Sequence, residues 1–462
     1  MATSTREQGG HAVVIGASMG GLLAARALAD SYEQVTLVER DAFPPAGEHR
    51  RGVPQGRHVH ALLAKGREIL EAFFPGFTQD LVDQGALLGD VGRHARWFDR
   101  GGYHCRYASN LPSVLVSRPR LEWYVRTRLL ALPNVRAIEG CDVLGLTATE
   151  DRARVTGVRV LRRQPGSAEE VLGADLVVDA SGRGSRMPAW LDALGYAKAD
   201  EERVEVKVGY TSQLYRRRPQ DLGGDRAVII TASPELRRLG VLIAQEGDRW
   251  MVTLAGYLGD YAPSDESGFL EYARNLAAPD IYEALKDAEP LSDLVTARFP
   301  ASQRRRYERL RRFPEGLLVF GDAICSFNPV YGQGMTVAAL EATALRACLD
   351  EGRAHLAQRF FRRAARVVDS PWQIAVGGDL RIPEVEGKRT PMVRFINWYV
   401  DRVHVAARHD PVVARAFQRV SNLVAPPPSL LRPGVALRVL RGNLRRPTAQ
   451  DRSAAVPAAA DG

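Results

Sequence analysis

Apolar and polar positions along the chain fall into two textures. Near the start, a short unbroken apolar run, HAVVIG, precedes GGLLAARALAD, whose apolar residues recur at helical spacing, and a second run, QVTLVER, follows. Unbroken runs joined by a helix predict buried parallel strands in a βαβ unit. SRPRLEWYVRTRLLAL predicts an amphipathic helix from near Ser117, and short strands with turns then form a β-meander that closes on the buried run DLVVDA. From about Gly195 to Ala301 the pattern alternates. RVEVKVGYTSQLYRR, RAVIITAS and LGVLIAQEGDRWMVTLAGYL predict antiparallel strands, with QEGDRW as a hairpin turn. GLLVFGDA returns as a last buried strand, and helical spacing dominates from Gly334 to about Val424, where APPP breaks it.

These elements predict an α/β chain with a discontinuous parallel-sheet domain (10–90, 113–190 and 300–350) that includes the meander. An antiparallel-sheet domain (91–112 and 191–299) is inserted into it, a helical region spans 351–446, and 447–462 is expected to be disordered.

Composition narrows the class without naming it. Hydrophobic residues make up 45% and charged residues 25% of 462 positions, ordinary for a globular protein. No apolar stretch reaches the ~20 residues of a membrane span, and MATSTREQGG lacks a signal-peptide core, so a cytoplasmic chain without a transmembrane segment is expected. The four cysteines show no metal-ligand spacing, so no metal site is expected. The net charge of +9 comes with only five lysines among 63 basic residues. That skew reads as an arginine bias, and no nucleic-acid motif accompanies it. Two basic clusters, RRRYERLRR and LRPGVALRVLRGNLRR, suit a solvated face, or else an anionic carrier domain or membrane surface.

The chemistry begins at Gly16-Ala17-Ser18-Met19-Gly20-Gly21. Read as G-x-S-x-G, it is the strand-to-helix elbow that presents a serine nucleophile. Read as a variant of G-x-G-x-x-G, it is a dinucleotide loop in which Ser18 replaces the middle glycine. In that reading Gly16 makes the tight turn, and Gly20 or Gly21 lets the helix approach the phosphates. Glu39, 23 residues after Gly16, stands where a carboxylate would hold a ribose hydroxyl, with Arg40 beside it. Two distant blocks favour the second reading. DLVVDASGRGSR carries Asp179 and Gly182, and GLLVFGDAICSFNPVYGQGMTVAALEA carries Gly321, Asp322, Pro329, Gly332, Gln333, Gly334 and Met335.

Together these three blocks resemble the flavoprotein monooxygenases of the p-hydroxybenzoate hydroxylase type, over roughly residues 10–370. The resemblance implies a Rossmann-type FAD domain in which Ser18 lies under the pyrophosphate and Arg118, in SRPRL, opens a helix near FAD. Asp322 would bind the ribityl chain, and the helix starting at Gly334 would aim its N–H groups at the flavin's pyrimidine edge. HRRGVPQGRHVHALLAKG and SPWQIAVGGDLRIP narrow the resemblance to the actinobacterial FAD-dependent epoxidases of polyether pathways. This implies that Gln55, Arg57, His58 and His60 lie along the flavin or its oxygen site.

The implied chemistry is transfer of one oxygen atom from a flavin C4a-hydroperoxide to an apolar small molecule. The expected reaction is epoxidation of an alkene in a polyketide or isoprenoid-like intermediate. O2 is the co-substrate, and NADPH or NADH supplies electrons directly or through a separate flavin reductase. An aromatic hydroxylase, a flavin reductase or dehydrogenase and a non-catalytic flavin-binding protein remain open. The W-x-W-x-I-P motif of flavin-dependent halogenases is not found.

Overall fold

The computed structural model describes residues 9–444; the tail expected to be disordered lies outside the described residues. Five parallel strands form the first sheet, in the order Leu317–Val319, Leu176–Asp179, Gly9–Ile15, Tyr32–Val38, Val135–Ile138. The order places the first strand at the centre, where both faces are covered, which explains why Ala12 to Val14 are fully buried. The helix Met19–Ala29 covers this sheet and packs against a second helix, Gly334–Asp350. A three-stranded antiparallel meander, Cys141–Ala148, Val155–Arg162 and Glu169–Gly173, leads into the buried strand Leu176–Asp179.

The alternating region builds an eight-stranded sheet. Its order is Cys325–Ser326, Val295–Arg305, Glu201–Arg216, Arg249–Tyr257, Arg238–Gln245, Ala227–Ile230, Ala95–Asp99, Gly102–Tyr103. Two features depart from expectation. The sheet is mixed, because Ala95–Asp99 arrives from the other side of the chain and pairs parallel to Ala227–Ile230. The boundary drawn at 299 falls inside the strand Val295–Arg305, and Cys325–Ser326 also joins this sheet, so the segment after 300 feeds both sheets.

Period-two alternation divides the large sheet into two faces. Trp250, Val252 and Leu254 point into a core closed by the helices Glu266–Arg274 and Asp280–Leu285. Val208, Tyr210, Ala255 and Tyr257 point the other way, into a cluster with Leu380, Ile382 and Val385 that Val330 also touches. This second face looks toward the parallel-sheet domain. Leu356–Asp379 is a single 24-residue helix with Pro371 inside it, and the helices Pro391–Ala407, Pro411–Ser421 and Pro433–Leu444 complete the chain.

Candidate functional site

The glycine loop is shaped by backbone geometry. Gly16 sits at φ +92°, and a Cβ there would lie 2.8 Å from the Ala180 carbonyl oxygen. A Cβ at Gly21 would land on the Gly16 carbonyl oxygen, so this turn and the DASG turn interlock. Above Gly20, Gly321, Gly332 and Gly334 the situation reverses. The nearest atoms a Cβ would meet are 3.9 to 4.0 Å away, ordinary van der Waals contact, so these glycines form a side-chain-free surface that a ligand can approach closely. Two helix starts border this surface, at Ser18 and Gln333, and neither has a side-chain cap bond. Their free N–H groups and positive dipole ends suit an anion.

At the first helix start, Ser18, Arg118, Glu122, Arg50 and Glu39 form one chain of contacts. The Ser18 hydroxyl accepts from Arg118 Nη2 at 3.0 Å and donates to Glu122 Oε2 at 3.2 Å. Arg118 pairs with Glu122 at 2.9 Å, one helical turn on. Arg50 bridges Glu122 Oε1 at 2.9 Å and Glu39 Oε2 at 2.6 Å. The Glu39 carboxylate also accepts from the N–H groups of Ala17 and Asp41. Burial raises the Glu122 carboxyl, but Arg118 and Arg50 outweigh it and hold the group below its ordinary value. Ser18 thus sits between an arginine and a carboxylate, with no histidine among its hydrogen-bond partners in the described residues. The acid–histidine arrangement of a hydrolase elbow is not assembled here. Arg40 is exposed and stands outside this network.

Asp179 is fully buried and accepts from the Ser181 N–H and from the hydroxyls of Ser181 and Ser185. It shapes the DASG turn from beneath, so its influence on this surface runs through Ser181. Gly182 is at φ +80° with open space around it.

Asp322 is exposed, yet burial by the surrounding walls raises its carboxyl, against the pull of Arg118 and Arg183. Its carboxylate is thus reachable from solvent despite the crowding around it. Beneath it, fully buried Glu341 accepts the Gly321 N–H at 2.7 Å, while its second oxygen has no partner in the described structure. Burial pushes Glu341 up to about 8, opposed by the Gly321 bond and reinforced by Asp322. Gln333 is buried and its amide oxygen is unpartnered among the described residues. Met335 is buried in the core, Pro329 is exposed, and Gly332 holds φ +64°.

The segment 54–60 lies between this loop and the large sheet: a Cβ on Gly332 would sit 3.9 Å from Ala61. His58 is buried, with Nδ1 2.8 Å from Ser212 Oγ and its ring edge-on to Tyr210. Ser212 pairs across the strands with Thr253, their hydroxyls 2.6 Å apart, and Thr253 accepts the Val59 N–H. Burial lowers His58 to about 4, with His49 and Arg57 adding to it, so its neutral ring fastens the segment to the sheet. His60 is lowered to about 3, by burial first and then by Arg118. Gln55 and Arg57 are exposed.

At the other end of the same sheet face, fully buried Asp379 gathers three donors on Oδ1: Asn328 at 2.8 Å, Tyr331 at 3.1 Å and Tyr257 at 3.2 Å. Its Oδ2 has no partner among the described residues, and burial raises the carboxyl to about 7 against those three bonds. The cluster ties the glycine loop, the sheet and the long helix together. Sequence reading missed Arg50, Glu122, Glu341 and this cluster. Glu122 had a usable signal, four residues after Arg118 on a helix. Asp379 had none, because its partners are up to 122 residues away.

The cradle fits FAD: two uncapped helix starts, a side-chain-free glycine surface and an exposed carboxylate beside it. The comparisons agree in fold. No family model matches the chain. Protein Rv3254 of Mycobacterium tuberculosis is 35% identical over 429 residues, covering 90% of each chain. The 6-methylpretetramide 4-monooxygenase of Streptomyces rimosus is 24% identical over 377 residues, covering 76% of this chain and 78% of that one. Among solved structures, the flavin-dependent brominase Bmp2 superimposes with a TM-score of 0.64 at 15% identity, over 89% of this chain and 93% of that one. The chain belongs to the family of the mycobacterial Protein Rv3254, and its fold is that of the flavin-dependent monooxygenases and halogenases.

Proposed function

We propose that this chain is an FAD-dependent monooxygenase that adds one oxygen atom to an apolar small molecule, with alkene epoxidation as its reaction. The observation that carries the reading is the side-chain-free glycine surface between two uncapped helix starts, with exposed Asp322 beside it. When bound and reduced, FAD supplies the activated oxygen.

The protein's own residues bind, orient and exclude water. The N–H groups of the first helical turn, Met19 to Gly21, and the Arg118 guanidinium would hold the diphosphate, and Glu39 would hold the ribose once Arg50 shares it. Asp322 accepts from the ribityl chain, and the helix start at Gly334 stabilises negative charge at the ring edge. Val208, Tyr210 and Ala255 belong to a buried apolar cluster whose Tyr210 meets His58 of the 54–60 segment, and a substrate seated beside that cluster would be shielded from water. Epoxidation needs no nucleophile or base from the protein, only close placement of the double bond. The electron source is NADPH or NADH, directly or through a flavin reductase.

Aromatic hydroxylation is the second reading, and one observation favours it. Asp379 and Tyr331 form a carboxyl–phenol pair beside the glycine loop, a group able to take a proton from a phenol. The Streptomyces relative, named as a 4-monooxygenase of 6-methylpretetramide, points the same way. The test is incubation of the reduced protein with polyene and aromatic substrates under labelled O2. Label in an epoxide is expected; label found only on aromatic rings replaces the first reading by the second. Replacing Asp322 by Ala should weaken flavin retention, whereas Ser18→Ala should keep considerable turnover.

A further inference from the structure

Among the described residues, nine of the twelve large apolar side chains left exposed lie between Met392 and Leu444. They concentrate on two helices that pack against each other, Pro391–Ala407 and Pro433–Leu444. The start of the first, PMVRFINW, is exposed or half-exposed at every position, and only Arg394 and Asn397 in it are polar. Met392, Phe395, Ile396, Trp398, Leu437 and Leu440 are each between 43% and 64% exposed. A helix start that is apolar almost all round and uncovered implies a partner phase.

The charge around it is one-sided. Residues 391–444 contain eight arginines and two aspartates. Both aspartates are engaged within the protein: Asp401 by Arg100 and Arg381, and Asp410 by Arg438 and the helix N–H groups it caps. Arg402 lies over the Trp398 ring at 4.9 Å, and Phe395 stacks on Trp398. Large aliphatic chains, an amphipathic aromatic ring and arginines together suit an anionic bilayer surface. The apolar chains protrude from helix surfaces, so a fluid phase takes them without shape complementarity, whereas a protein partner would need matching pockets.

We propose that the helix start at Pro391–Trp398, with the exposed face of Pro433–Leu444, seats this protein on an anionic lipid surface. The placement has a consequence for the proposed flavin site. Val393 packs against the apolar cluster that holds Tyr210, Tyr257 and Leu380, and that Val330 of the glycine loop also touches. An apolar substrate dissolved in the bilayer therefore reaches the protein beside the proposed substrate wall. The membrane seat itself is independent of which reaction the flavin performs.

The test is flotation of the full chain with vesicles of phosphatidylcholine containing phosphatidylglycerol, against phosphatidylcholine alone. The chain floats with the anionic vesicles, and raised salt weakens the association. Binding shifts tryptophan emission to the blue, and the shift is lost in Trp398→Phe. Phe395→Ser combined with Ile396→Ser lowers vesicle binding by about tenfold or more, with bound flavin unchanged. No flotation with anionic vesicles at low salt overturns the proposal. So does light scattering that shows a dimer which the Phe395 and Ile396 substitutions disperse, since the occupant is then a second copy. Flavin content, read in the same samples, reports separately on the monooxygenase reading.

Discussion

Arg50 illustrates how much one side chain can hold. Its guanidinium is buried between Glu39 and Glu122, and removing it leaves Glu39 without its ion-pair partner and Glu122 with Arg118 alone. Breaking such a buried pair typically costs about 3–5 kcal/mol. Arg50→Met is therefore expected to lower the urea midpoint clearly and to lose flavin, whereas Arg40→Met should do neither. Glu341 makes a prediction about pH. Its folded pKa of about 8 lies above the 4.5 of a free glutamate, so the folded state holds the proton more tightly. The associated stability is present below pH 4.5 and declines as pH rises toward 8, at up to about 1.4 kcal/mol per unit. Glu341→Gln keeps an acceptor for the Gly321 N–H and carries no charge. Its melting temperature should fall less than that of the parent between pH 6 and 9; equal slopes would rule out Glu341 as the titrating group.

At the scale of elements, the long helix Leu356–Asp379 sets the glycine loop 329–334 from behind. Tyr331 reaches Asp379 by passing over Gly378, where a Cβ would land on the Tyr331 hydroxyl. Gly378→Ala is expected to push the loop 329–334 toward the proposed flavin site and reduce flavin retention, with far-ultraviolet dichroism unchanged. Retained flavin at the parent's level would mean the loop has room to shift. The two uncapped helix starts belong at this scale as well. Their N–H groups act together because the helices Met19–Ala29 and Gly334–Asp350 pack on each other, although more than 300 residues separate them in sequence.

For the whole molecule, the proposed flavin site lies where the contacts of the two sheets meet. His58 fastens the 54–60 segment to Ser212 on the large sheet, and the Asp379 cluster closes the other end. A ligand bound across such a junction stabilises only the folded arrangement. FAD at a hundred times its dissociation constant should raise stability by about 2.7 kcal/mol. Thermal melts with and without added FAD measure this, and an unchanged midpoint would count against a flavin site.

The local patterns settled what depends on short-range physics. Unbroken against alternating apolar runs separated parallel from antiparallel strands, and Gly16 marked a tight turn because its positive φ is a backbone property. The spacing of the three glycine-bearing blocks could be read directly, since each lies at one strand end. The parallel arrival of Ala95–Asp99 was not legible, because pairing direction leaves no mark within a strand that short. Nor were the buried contacts of Arg50, Glu341 and Asp379. Their significance comes from burial and from partners brought in by tertiary folding. Burial is the largest cause raising the Glu341 and Asp379 carboxyls, and only the folded chain decides what is buried.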